Sequence, residues 1–148
     1  MRGSPYGFGV SFIDQSVFVY GTLKPGGRFW PKYCEGKVAA VVPARIQGEL
    51  YDLHLGYPGL LLRGEDWVRG FILSFPEAAD FAEVDRLEGY SPTRPPERNE
   101  YDRVRVDCFD AEGRPLGRVW VYAMTEERLR RLGATRLCGG DWPVAPQA

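Results

Sequence analysis

Two features of this chain have the residue types and spacing to do chemistry. One is a glycine-marked loop directly after an apolar strand, and the other is a carboxylate on the apolar side of a helix. The loop is Gly21–Gly27, "GTLKPGG", which follows Val17–Tyr20 and carries Thr22 and Lys24. Successive backbone N–H groups in such a turn form a small concavity suited to a carboxylate or a developing oxyanion. A nucleoside triphosphate is a poor fit. A phosphate loop ends in Gly-Lys-Ser/Thr and launches a helix, whereas here Gly27-Arg28 follows and Pro31 soon interrupts. Read alone, the segment is more simply an ordinary strand-to-loop turn.

The carboxylate is Glu88. The stretch "PEAADFAEVDRLEG", Pro76 to Gly89, predicts a helix with Pro76 in its first turn, acidic residues near its start and Gly89 as a left-handed stop. At about 100° per residue, Ala78, Phe81, Val84 and Leu87 define the apolar arc, and Glu88 falls close to its middle. A buried carboxylate costs several kcal/mol unless it is paired or held neutral, so folding alone rarely favours one there. Periodicity is equally compatible with Glu88 turning out to solvent at the frayed helix end. Asp85, on the edge of the same arc, reads as a partly exposed helix residue and a background catalytic candidate.

Other chemistries lack their parts. His54 is the single histidine, which leaves no His-based metal site and no two-histidine relay, and no GxSxG elbow accompanies the serines. Cys34, Cys108 and Cys138 are odd in number, far apart and in no CxxC pairing. Neither a disulfide framework nor a zinc site is expected from them, and a reducing cytoplasm fits best. No cofactor is called for. A net charge of -1, with 26% of residues charged, argues against a broad basic nucleic-acid face and points to a small-molecule partner. No apolar run approaches the ~18 residues of a membrane span, and no export signal opens the chain. Met1–Gln15, whose first four residues look tag-like, is read as an arm outside the domain, which is expected to occupy residues 16–148.

At 148 residues one domain of ordinary size is expected, able to bury roughly two-thirds of the surface the unfolded chain exposes. Strands are predicted at Val17–Tyr20, Ala44–Leu53, Leu60–Leu62, Trp67–Phe75, Arg103–Phe109 and Gly117–Met124, each rich in β-branched or aromatic residues and bounded by turn formers. "DAEGRP", Asp110–Pro115, predicts a hairpin turn that pairs the last two strands antiparallel, with Trp120 and Tyr122 on one face. The chain is β-dominated with few helices.

Together, "VFVYGTLKPG" at Val17–Gly26, "GELYDL" and "YPGL" within Gly48–Leu60, "VDRLEGY" at Val84–Tyr90 and "YDRVRV" at Tyr101–Val106 resemble the γ-glutamylcyclotransferase-like family, including its γ-glutamylamine cyclotransferase members. The resemblance runs from about Val17 to Trp142 and ends in a "GGDWP" element; the pairing of YGTL with a downstream Leu-Glu-Gly is its most specific part. It implies an α+β fold, a compact mixed β-barrel flanked by a few helices, in which the YGTL loop and the Glu of Leu-Glu-Gly meet in one cavity. Carried over by position, Tyr20, Gly21, Thr22 and Leu23 bind an anion, Glu88 is the general acid/base, and Tyr101 and Tyr122 line the cavity. The proline-rich "SPTRPPERNE", Ser91–Glu100, departs from the family pattern at the cavity rim.

The reaction this resemblance implies needs no cofactor and no water. The α-amine of a γ-glutamyl compound attacks its own γ-carbonyl, and 5-oxoproline and a free amine leave. The alternative expectation is a binding module that holds a small carboxylate metabolite in the same cavity without turning it over.

Overall fold

The computed structural model describes residues 15–144, so the expected N-terminal arm lies, apart from Gln15, outside the described residues. The elements run β1 (Ser16–Val19), α1 (Trp30–Tyr33), β2 (Ala40–Gln47), β3 (Glu49–Asp52), β4 (Pro58–Leu61), β5 (Trp67–Ser74), α2 (Ala78–Leu87), a 3-10 turn (Pro96–Arg98), β6 (Asp102–Phe109), β7 (Pro115–Ala123), α3 (Glu126–Arg131) and β8 (Thr135–Leu137). Five strands close into a barrel in the order β1-β5-β2-β6-β7, and β4-β3-β8 form a separate three-stranded sheet. This is the expected mixed barrel with flanking helices. β1 runs antiparallel to β5 and meets β7 in parallel at Val17–Trp120, which closes the ring.

All four residues of β1 are buried because both of its faces pack. Val17 and Val19 enter one apolar cluster with Leu73, Phe75, Phe81, Val84 and Tyr122. Phe18 and Tyr20 enter the other, with Ile46, Val68, Ile72, Val119 and Val121. Helix α2 lays Phe81 and Val84 against the first cluster, where the Phe75 and Phe81 rings stack with centroids 5.8 Å apart. The β6–β7 hairpin forms around the predicted turn. Asp110 accepts backbone hydrogen bonds from Gly113 and, through its side chain, from Glu112 and Arg114.

Several expectations are corrected. The single strand read over Ala44–Leu53 is two strands in different sheets. The break falls at Gly48, whose N–H turns to the Asp66 carbonyl while β2 stays in the barrel and β3 leaves it. Helix α2 starts at Ala78, so Pro76 precedes it, and Ala78 is exposed and takes no part in the buried arc. The short elements α1, α3 and β8 and the 3-10 turn were not anticipated, since helical pieces of three to six residues span less than two turns and β8 has only three residues, with none fully buried. His54 is solvent-facing; it adopts φ 61° and its Nε2 lies 2.8 Å from the Thr135 hydroxyl.

The barrel closes tightly at Gly70 of β5. A Cβ there would abut the Val19 carbonyl oxygen and come within 2.8 Å of the Phe18 ring. Gly70→Ala should therefore lower the unfolding free energy by about 1–3 kcal/mol, the usual cost of overpacking a core. The urea midpoint at constant m-value measures this, and an unchanged midpoint would contradict the close approach.

Candidate functional site

Glu88 is held at the end of α2 by a fixed stop. Gly89 takes φ 66°, its N–H bonds the Arg86 carbonyl, and the Tyr90 N–H reaches back to Asp85. That pair of bonds is a Schellman ending, which satisfies the last carbonyls and leaves the capping residue little freedom to fray. The question left open by periodicity is thereby answered: Glu88 lines a cavity of about 290 Å³.

The first strand ends where that cavity begins. Tyr20, Gly21, Thr22 and Leu23 all line it, as do Tyr101 and Tyr122, so the structure brings every residue carried over from the family pattern to one place. The loop is closed by hydrogen bonds from Lys24 N to Gly21 O (3.1 Å) and from Phe29 N to Thr22 O (3.0 Å). The N–H groups of Gly21, Thr22 and Leu23 have no acceptor among the described residues and so remain as donors. Lys24 itself is buried and turned away, with Nζ 2.6 Å from the Trp142 carbonyl and 3.1 Å from Asp141, so the "GGDWP" element ties down the back of the loop. Gly21 has to be glycine for reasons of contact, because a Cβ would stand 2.7 Å from the Pro58 ring.

The tyrosines are braces as well as walls. Tyr20 donates to the Tyr122 carbonyl (2.6 Å), and Tyr101 donates to the Pro58 carbonyl (2.6 Å) on the proline that packs against Gly21. Tyr122 donates to Asp85 Oδ1 (2.6 Å). Arg103 lies directly across the ladder from Tyr122. Its Nη1 bonds both Asp85 oxygens, and its guanidinium sits among the rings of Phe81, Tyr90 and Trp120. Asp85 is therefore fully engaged behind the cavity wall, while Glu88, one residue beyond the turn's end, is not.

The electrostatics follow from that division. The Glu88 carboxylate accepts no hydrogen bond and pairs with no cation among the described residues. Burial, then the charge of Glu100, then that of Asp85 push its pKa up from 4.5 to about 8. Asp85 is also raised by burial, but the Tyr122 hydroxyl and Arg103 oppose the shift. Burial and the nearby Glu88 keep the Tyr20 phenol neutral.

Sequence reasoning missed Glu100, Tyr57 and Arg28, which also line the cavity. Glu100 is the last residue of the proline-rich Ser91–Glu100 segment. Its N–H bonds the Gly89 carbonyl (2.9 Å), its own carbonyl takes Arg128 Nη1 (2.6 Å) and its carboxylate takes the Tyr57 hydroxyl (2.5 Å). The same bond, after burial, raises Tyr57 to about 12. The segment is ordered around buried Asn99, whose Oδ1 accepts from Ser91 N and Arg94 Nε. No signal in a polar, proline-rich stretch marks its last residue as part of a site. Among the described residues no group of three or more His, Cys, Asp or Glu could hold a metal ion, and no helix is long and apolar enough to cross a membrane.

A five-stranded barrel, a glycine loop at one strand end and an unpaired carboxylate at a helix end together frame one cavity. The family described as gamma-glutamyl cyclotransferase, AIG2-like, matches residues 17–144, and the chain belongs to it. It is 35% identical over 107 residues to a gamma-L-glutamyl-butirosin B gamma-glutamyl cyclotransferase from Niallia circulans, an alignment covering 72% of this chain and 66% of that one, just under two thirds of the relative's length. The fold is similar to that of YkqA from Bacillus subtilis, with TM-score 0.61 at 19% identity, covering 87% of this chain and 39% of that one. It is also similar to that of an aig2-like protein from Mus musculus, with TM-score 0.53 at 20% identity, covering 78% of this chain and 82% of that one.

The Tyr101 hydroxyl is the donor to the Pro58 carbonyl, at a proline that is itself buried. Tyr101→Phe removes that donor without changing the ring, so it should cost about 1–3 kcal/mol of stability, the penalty for an unsatisfied buried acceptor. Chemical denaturation measures it; a variant as stable as the parent would show that this brace is not needed.

Proposed function

We propose that the cavity cyclises γ-glutamyl compounds, releasing 5-oxoproline and a free amine. The observation that carries this reading is a carboxylate without a cation, pushed up to about 8, facing a cavity it shares with the unbonded N–H groups of Gly21–Leu23. The family membership and the relative's printed activity support it.

The roles follow from acid–base matching. The α-ammonium of a γ-glutamyl compound is not nucleophilic until it loses a proton. At about 1.4 kcal/mol per pKa unit, transfer to Glu88 at about 8 is easier by about 5 kcal/mol than transfer to an ordinary carboxylate near 4.5. The freed nitrogen attacks the γ-carbonyl carbon, forming the ring C–N bond and a tetrahedral oxyanion. The loop N–H groups are placed to stabilise that oxyanion or to hold the α-carboxylate, and a single such donor is worth about 3–4 kcal/mol of barrier. The bond to the leaving nitrogen then breaks as Glu88 returns its proton to that nitrogen, and the ring nitrogen loses its second proton, through Glu88, to the freed amine, which departs as an ammonium and leaves 5-oxoproline neutral at nitrogen. Because both reactants belong to one molecule, the site has only to bend the substrate into its reactive conformer, where effective molarities are on the order of 10⁵ M or more. A cavity of about 290 Å³ is adequate for that head group. A binder of carboxylates that performed no chemistry would gain nothing from an unpaired Glu88 and would be weakened by its charge.

Glu88→Gln keeps the shape and removes the base, so turnover should fall at least about 10²-fold in a variant that remains folded by circular dichroism. Near-parental turnover would overturn the assignment. Acetylating the α-amine of the substrate should abolish product formation, since the amide nitrogen is a poor nucleophile. Release of N-acetylglutamate from the blocked compound, read by mass spectrometry, would mean that water or a side chain attacks instead.

A further inference from the structure

Among the described residues that line the cavity, Arg28 is the only cation. It is exposed, and it makes no hydrogen bond or ion pair among the described residues; its one recorded contact is with the Phe29 ring, 5.0 Å from the guanidinium carbon. Its Nη1 reaches the Leu55–Tyr57 loop, where it would lie 3.7 Å from a Cβ placed on Gly56. The guanidinium thus stands beside Gly56, next in sequence to exposed Leu55, whereas Glu88 and Glu100 line the cavity at less exposed positions. The cyclisation chemistry puts the γ-glutamyl head at Glu88 and the loop N–H groups, so the departing amine must point toward the mouth.

Resting on the reading given under Proposed function, we propose that Arg28 is a specificity-determining residue that pairs with a carboxylate on the departing amine. The preferred substrates are then γ-glutamyl amino acids, ahead of γ-glutamyl amines. Two charge arguments support it. A γ-glutamyl amino acid carries a second carboxylate into a cavity that already holds two, and a cation at the entrance offsets that repulsion. An arginine fork with no internal partner loses no existing pair when it binds a carboxylate bidentately, and such charged hydrogen bonds are worth about 1.5–3 kcal/mol.

The test compares γ-glutamylalanine with γ-glutamylethylamide, which differ only by the carboxylate on the leaving group. 5-Oxoproline release and calorimetric affinity are both recorded. The parent protein should favour γ-glutamylalanine by about 10- to 100-fold in kcat/KM, with the difference mainly in KM and matched in affinity. In Arg28→Gln that ratio should fall toward one, and Arg28→Lys should restore part of it. No preference in the parent, or a loss shared equally by both compounds in Arg28→Gln with the ratio kept, overturns the assignment of Arg28. If neither compound yields 5-oxoproline, the cyclisation reading fails separately. The affinity ratio and its response to Arg28→Gln then still decide whether Arg28 reads the carboxylate.

Discussion

A carboxylate that the fold leaves without a cation is the constraint on which the rest of this structure depends. Arg103 lies within the same group of elements, yet both oxygens it bonds belong to Asp85, and three aromatic rings surround its guanidinium. Had that cation faced Glu88, the pKa would fall by about 1–3 units relative to an unpaired site, shifting the group toward its charged form at neutral pH. Instead Glu100 and Asp85 add to burial and all three act in the same direction. An unpaired carboxylate taken largely out of water opposes folding. The protein tolerates it because two apolar clusters, one on each face of β1, supply the stability around it.

Positioning comes from contacts that connect segments distant in sequence. Pro58 packs on Gly21 while its carbonyl receives Tyr101, and Tyr20 at the end of β1 is tied to the backbone of β7 at Tyr122. Tyr122 in turn holds Asp85 on α2, one turn before Glu88. Strand end, loop, helix end and hairpin are therefore one braced unit, and it leaves the N–H groups of Gly21–Leu23, residues that line the cavity, without acceptors among the described residues. Preorganised donors of this kind need no rearrangement when charge develops on a bound oxygen.

Much of this was legible in the sequence, for identifiable reasons. The barrel strands β1, β5, β6 and β7 announced themselves through β-branched and aromatic runs, and Gly89 marked the helix stop because the Schellman ending needs a residue at positive φ. Whether Glu88 faced in or out was not legible, since a helix wheel loses its meaning at the last turn, where the cap geometry takes over. The split of Ala44–Leu53 into two sheets was hidden because alternation continues unbroken through Gly48 from one strand to the next. Glu100 and Arg28 were invisible for a different reason: each is a charged residue in a polar loop, and only the folded arrangement of Gly89, Tyr57 and Gly56 around them brings them to the cavity.

The most direct measurement of the central claim is the titration of the Glu88 side-chain carboxyl itself by ¹³C NMR, with the resonance assigned by its absence in Glu88→Gln. A midpoint of about 8 is expected, so that the group is largely protonated at pH 6 and ionised only as the pH passes through 8. A midpoint near 4.5, the value of an ordinary glutamate, would mean that the carboxylate is solvated or paired and would contradict the account.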